Sequence, residues 1–308
     1  MPYDLTNPLV IGISSRALFD LEEENRIFEE QGLSAYEEYQ VCHEKDVLSK
    51  GAAFALAEAF LSLNRLQEER LVEVIVMSRN SPNTSLRIFH SIDHYGLDIT
   101  RAALSGGGAI ASYLKAFEPD LFLSAHRPDV QEAINSGIAA GMILTGKPLD
   151  RGPTGQIRIA FDGDAVLFSA DSERIYQRDG LDAFAAHERS KADEPMEKGP
   201  FANFLMTIAH IQSKFSDRES VPIRTALVPS RGAPAPERAI KTLRQWGVRV
   251  DEAFFLGGVS KQEVLSAFGA HIFFDDQPAH AEPASAYVPS AVVPSAVVPY
   301  AAGQDPMK

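Results

Sequence analysis

ALFDLEEENRIFEEQGL, residues 17–33, returns 148 positions later as AVLFSADSERIYQRDGL, residues 165–181. At that offset Arg26 stands opposite Arg174, Gly32 opposite Gly180 and Gly51 opposite Gly199. Further on, YGLDITRAALSGG (95–107) resembles WGVRVDEAFFLGG (246–258), now at an offset of 151. YLKAF (113–117) and VLSAF (264–268) match at 151 as well. Matched order at a nearly constant offset is the mark of an internal duplication.

Working outward, each copy opens on an apolar strand, LVIGI at 9–13 and IRIAF at 157–161. Two helices follow; in the second copy Phe201, Phe204, Leu205, Ile208 and Ile211 share one helical face. Next come VEVIVM (72–77) or RTALV (224–228), a helix, and short strands near 101–104 and 252–256. Helices at 110–117 and 261–268 lead into LFLS (121–124) and IFFD (272–275). Strands alternating with helices of these lengths predict an α/β fold of two Rossmann-like units with parallel sheets. The expected boundaries are 1–150 and 151–288, with a small helical cap at about 169–220 in the second unit. Residues 289–308 carry SAVVP twice, at 290–294 and 295–299. Proline at that spacing prevents a helix, so an extended, flexible or edge-lying tail is expected. The sequence leaves open whether the halves form two lobes or share one sheet.

Composition narrows the function classes. The chain has 308 residues and a formal charge of −13, which disfavours a nucleic-acid-binding face. No apolar run approaches the roughly 20 residues that span a bilayer. One cysteine, Cys42, makes no internal disulfide and no thiolate metal site. The first residues lack the basic start and cleavage site of a secretory leader, so the expected location is the cytoplasm. A homo-oligomer is expected on general grounds.

Ligands in parallel α/β folds bind at the carboxyl ends of strands. There the second copy is chemically loaded: Asp162-Gly163-Asp164 after IRIAF, Pro229-Ser230-Arg231 after RTALV, Lys261 opening a helix, and Asp275-Asp276 after IFF. A lone DxD is usually a turn or helix cap, and a lone lysine is usually solvated surface. The ordered set is what carries weight. So many carboxylates in one cleft repel one another unless a hard cation such as Mg²⁺ takes their oxygens. The first copy acts as a control: at the matching positions it carries Ile13 and Ser15 in place of the two aspartates. Ile110 replaces Lys261, and Ser124 and Ala125 replace Asp275-Asp276. Charges that vanish together behave as one site.

These motifs resemble the haloacid dehalogenase-like phosphohydrolase superfamily, and more closely the cytosolic type I 5′-nucleotidases. The matching stretches are ISSRALFDLEEENRIFEEQGL, SIDHYGLDITRAALSGG, IRIAFDGDAVLFS, AIKTLRQWG and HIFFDDQ, within residues 8–288. The resemblance implies that Asp162 attacks phosphorus to form an aspartyl-phosphate and that Asp164 is general acid and base. It implies Mg²⁺ on Asp162, the Asp164 backbone carbonyl, Asp275 and Asp276, with Lys261 neutralising charge. Phosphate would be bound by Ser230 and Arg231, because the family's second-motif threonine is here Pro229, which has no hydroxyl. The implied substrate is a nucleoside 5′-monophosphate, AMP foremost, with a nucleotide effector as a further partner. Tyr176, Phe184 and Phe201 are candidates for stacking on the base, although their spacing fits core packing better. Ser14, Ser15 and Arg16, with Ser105-Gly106-Gly107-Gly108, form a candidate second anion site; turn chemistry explains the same residues equally well. The alternatives are a phosphatase for another small ester and a low-turnover nucleotide sensor.

Overall fold

The computed structural model describes residues 5, 7–145, 155–215, 221–229 and 236–296. Its strands are β1 (Leu9–Ile13), β2 (Val72–Ser78), β3 (Arg101–Leu104), β4 (Leu121–Ser124), β5 (Ala139–Ile143), β6 (Ile157–Phe161), β7 (Ile223–Leu227), β8 (Glu252–Ala253), β9 (Ile272–Asp275) and β10 (Ser290–Val292). Helices α1 (Ser15–Leu18), α2 (Glu22–Gln31), α3 (Leu33–Cys42), α4 (Phe54–Ser62), α5 (Leu86–His94), α6 (Ala111–Phe117) and α7 (Arg127–Asn135) belong to the first half. The second half has α8 (Asp171–Ser190), α9 (Ala202–Ser213), α10 (Pro236–Gln245), α11 (Gln262–Phe268) and α12 (Pro278–Ser285).

Among the described residues ten strands form one sheet, ordered β3-β2-β1-β4-β5-β10-β9-β6-β7-β8. Within each half the pairing is parallel, and β1, β2 and β4 are buried along their whole length. Burial on both faces explains why these strands read as continuous apolar runs. The halves meet through β5 and β10, which run antiparallel with Ala291 opposite Ile143 and Val292 opposite Met142. A Cβ on Gly141 would lie 2.9 Å from Ala291 Cβ and 3.1 Å from a Phe274 ring carbon, so only glycine permits this approach.

The strand β10 corrects the expected tail boundary at 289. Ser290–Val292 are the second copy's fifth strand, the counterpart of Ala139–Gly141 at the offset of 151. Pro289 and Pro294 flank the three residues rather than interrupt them, so no ladder N–H is lost. The later repeat, from 297 on, lies outside the described residues.

The duplication extends to backbone detail. Gly32 separates α2 from α3 with φ 84° and ψ −177°, and Gly180 breaks α8 with φ 81° and ψ −176°. Phe28 meets Tyr36 edge-on at 6.0 Å, and Tyr176 meets Phe184 edge-on at 6.3 Å. Before β4, Asp120 accepts the Val10 amide at 2.8 Å; before β9, His271 Nδ1 accepts the Arg158 amide at 3.1 Å. Both side chains pin the register of neighbouring strands. The hairpin formed by α8 is therefore present in both halves. Within the stretch expected to be a cap, α9 instead packs on the sheet, Phe201 lying 4.6 Å and Phe204 6.5 Å from the Phe274 ring.

The structure also shifts one correspondence. Ser14 donates its amide to Leu123 as Asp162 donates its amide to Phe274, both at 2.8 Å. Ser14, not Ile13, thus occupies the place of Asp162. The second copy has one more residue between strand and LF pair, and Ala165 there adopts φ 60°.

Among helix ends, Glu118 closes α6 in the left-handed region at φ 43°, where its counterpart Gly269 closes α11 at φ 71°. A side chain in that region costs about 1–2 kcal/mol. Glu118→Gly should recover roughly 1 kcal/mol of stability in urea titration; an unchanged or lower midpoint would show that the Glu118 side chain is compensated elsewhere.

Candidate active site

The carboxyl end of β6 delivers Asp162, and that of β9 delivers Asp275 and Asp276; Lys261 comes from the residue preceding α11. The lysine bridges two carboxylates, donating to Asp162 Oδ1 at 2.6 Å and Asp275 Oδ2 at 2.7 Å. Asp162 is 6% exposed, Lys261 5% and Asp275 0%. Asp275 Oδ1 accepts the Gln277 amide at 2.9 Å and faces His280 Nδ1 at 3.4 Å. Asp276 Oδ1 is buried without a hydrogen-bond partner. One oxygen from each of Asp162, Asp275 and Asp276 falls within 4.8 Å of the others.

Three carboxylates and one ammonium leave excess negative charge in a poorly solvated place, and the proton affinities show it. Burial pushes Asp162 up to about 6 against the pull of Lys261, with Asp275 adding to the rise. Burial, then the charges of Asp162, Asp275 and Glu173, push Asp276 up to about 7. Asp275 is itself opposed by burial, yet His280, Lys261 and the Gln277 amide hold it below the ordinary carboxylate range. His280 is raised by its hydrogen bond to Asp275. An orphaned carboxylate oxygen beside two others is the donor set a hard divalent cation takes, so the residues fit such an ion.

The signs give a test. In the metal-free protein Asp276 binds its proton more tightly folded than unfolded, so its contribution to stability is whole below pH 4 and lost as pH climbs through about 7. Asp276→Asn should therefore raise the metal-free Tm clearly at about pH 8 and little at about pH 5. An equal shift at both pH values would refute the assignment.

The structure brings together Asp162, Lys261, Asp275 and Asp276. Asp164 stands two residues on, half-buried, bridging to Phe168, and its carboxylate is not among the convergent oxygens. Ser230 and Arg231 lie outside the described residues. Pro229 is buried, and its Cβ would meet a Cβ on Gly163 at 3.7 Å. Of the stacking candidates, Phe184 and Phe201 are 2% and 0% exposed and serve the core, whereas Tyr176 is exposed. Reading the sequence missed His280 and Glu173. The first lies in the first turn of α12, a position legible only once that helix start is known.

In the first half Ser14 caps α1 through the Ala17 amide, and Ser15 Oγ lies 2.9 Å from Ser78 Oγ. Arg16 is held by Glu22 at 2.9 Å and by Asn25 at 2.9 Å, on a small cleft of about 190 Å³ that also includes Thr145. An anion arriving at Arg16 would compete with Glu22. Arg79, at the position matching Ser230, makes a bidentate contact with buried Asp129, which also faces His126 at 3.0 Å.

Residues 1–299 match the family described as 5′-nucleotidase. The human protein named cytosolic 5′-nucleotidase 1B is 39% identical over 286 residues, covering 90% of this chain and 47% of the relative. The chain thus spans about half the length of the curated relative it matches. No solved structure matches significantly. No helix among the described residues is long and apolar enough to cross a membrane. With the duplicated α/β sheet and the lysine-bridged carboxylates in place, the chain belongs to the cytosolic type I 5′-nucleotidase family.

Proposed function

We propose that this chain hydrolyses nucleoside 5′-monophosphates, AMP foremost, with Mg²⁺ as cofactor and Asp162 as the nucleophile. The observation that carries the reading is the single buried ammonium shared by Asp162 and Asp275 beside the unpartnered oxygen of Asp276. Asp162, Asp275 and Asp276 would hold the cation, with the Asp164 carbonyl as a further oxygen ligand. When bound, the cation supplies positive charge to the phosphoryl oxygens and to the carboxylates around it. Lys261 keeps Asp162 ionised and oriented, and screens it from the incoming dianion. A carboxylate oxygen of Asp162 bonds to phosphorus as the ester P–O bond breaks, and Asp164 protonates the departing 5′-oxygen. Asp164 then takes a proton from the water that cleaves the aspartyl-phosphate, releasing phosphate. Phosphoryl transfer needs mainly alignment and charge stabilisation, which this rigid set provides. Ser230 and Arg231 are proposed to bind the phosphoryl oxygens in place of a second-motif threonine.

The test is phosphate release from AMP, from other nucleoside monophosphates and from small phosphate esters, with Mg²⁺ and with EDTA. Repeated turnover of AMP that stops in EDTA supports the reading. Turnover of only non-nucleotide esters would replace the substrate, and nucleotide binding without release would make the protein a sensor.

A further inference from the structure

Arg238 lies in the first turn of α10, 8% exposed, just beyond the second-motif loop. Its Nε donates to the Glu194 carbonyl at 2.9 Å and its Nη1 to Glu188 Oε1 at 2.9 Å. Glu188, 3% exposed, sits on the second arm of the α8 hairpin, and Ser172 on the first arm donates to the same oxygen at 2.8 Å. One arginine therefore ties both arms to α10. Thr242 Oγ1 adds a bond from the Met196 amide at 3.0 Å. Towards the catalytic loop the hairpin hangs on a narrow neck, where Phe168 bridges Lys198 and the Ser169 amide donates to Glu197 at 2.9 Å. A neck of two paired segments leaves the tilt of the hairpin to other contacts.

The first half has the same fitting with its charge moved. Arg87, 151 residues earlier, donates Nε to the Asp46 carbonyl at 2.9 Å and Nη1 to the Glu24 carboxylate. Glu24 occupies the place of Ser172, and Gln40 the place of Glu188. Both halves keep a buried arginine–carboxylate contact while the carboxylate has changed arms. Stability alone does not demand this, because an apolar pair often serves as well.

We propose that Arg238 is a positioning residue: with Glu188 and Ser172 it sets the angle of the hairpin over the reacting phosphate and so favours nucleotides over small phosphate esters. This rests on the nucleotidase reading above. A small ester would engage only the groups proposed above to handle its phosphate, whereas a nucleoside extends beyond them and would depend on where the hairpin stands. The first arm follows directly on the catalytic loop: Asp164 bridges Phe168, Phe168 bridges Lys198, and α8 begins at Asp171.

The experiment compares kcat/KM for AMP and for the small ester methyl phosphate in wild type, Glu188→Gln, the double variant Ser172→Glu/Glu188→Gln, and Arg87→Met. Glu188→Gln should lower the AMP-to-methyl-phosphate ratio about tenfold or more, chiefly through KM. The double variant rebuilds the first-half arrangement and should restore the ratio. Arg87→Met, which breaks the corresponding arginine–carboxylate contact in the other half, should leave the ratio alone whatever it does to Tm. A ratio unmoved by Glu188→Gln, or moved equally by Arg87→Met, overturns the proposal. Failure of wild type to hydrolyse either substrate sinks the nucleotidase reading instead. Hydrogen exchange over 171–190 then decides the latch, which requires faster exchange in Glu188→Gln reversed in the double variant.

Discussion

Asp162→Asn should lose phosphate release from AMP by a factor of about 10⁴ or more, while the protein stays folded. The amide fills the same space but cannot attack phosphorus as a carboxylate does. Stability should not fall with activity. Asp162 is buried and already held up to about 6, so removing its charge relieves desolvation, and Lys261 keeps Asp275 as partner. The expected pair of results is therefore a dead enzyme and a metal-free Tm no lower than wild type at pH 8. An asparagine before Gly163 is prone to deamidation, so Asp162→Ala is the companion. Activity within tenfold of wild type in Asp162→Ala would remove Asp162 from the role of nucleophile.

Gly199→Ala should have the largest effect on folding. A Cβ there would lie 2.4 Å from the Phe168 carbonyl oxygen and 2.5 Å from that of Val166. Both are backbone atoms of the neck, which cannot swing aside as a side chain can. The cost should be about 3 kcal/mol or more, read from urea midpoints. Gly51→Ala is the internal replicate: its Cβ would meet Phe19 C at 2.7 Å and the Ala17 oxygen at 2.8 Å. Similar losses in both would confirm that each neck is held by close backbone approach. A loss below about 1 kcal/mol in either would mean that the neck yields. The two variants should differ in function, since only Gly199 borders the loop carrying Asp162 and Asp164.

Much of this was legible in sequence because it is local. LVIGI, IRIAF, LFLS and IFFD became β1, β6, β4 and β9, since runs buried on both faces have little else to be. The loaded strand ends followed, because the residue after a parallel strand is placed by that strand. The fifth strands were not legible. In β10 the prolines at 289 and 294 read as a tail, and only pairing with β5 and β9 on either side makes three residues a strand. The matching of Asp162 to Ser14 was lost by one residue because the extra Ala165 lies in a turn, where side-chain periodicity gives no register.

The sequence by itself determined that the chain is a duplicated α/β protein in which the second copy carries the ordered set of charged residues at its strand exits and the first copy does not. Repetition, strand patterning and the identity of residues at strand exits are properties of the linear order. Tertiary structure decided that the halves share one sheet, since each fifth strand would otherwise expose an edge, and Gly141 lets Ala291 and Phe274 approach to close it. It decided, too, that Lys261 and Asp162, 99 residues apart in sequence, meet at 2.6 Å in a place dry enough to push Asp162 up to about 6. Burial and convergence depend on what the rest of the chain packs around a group, and no local pattern encodes them.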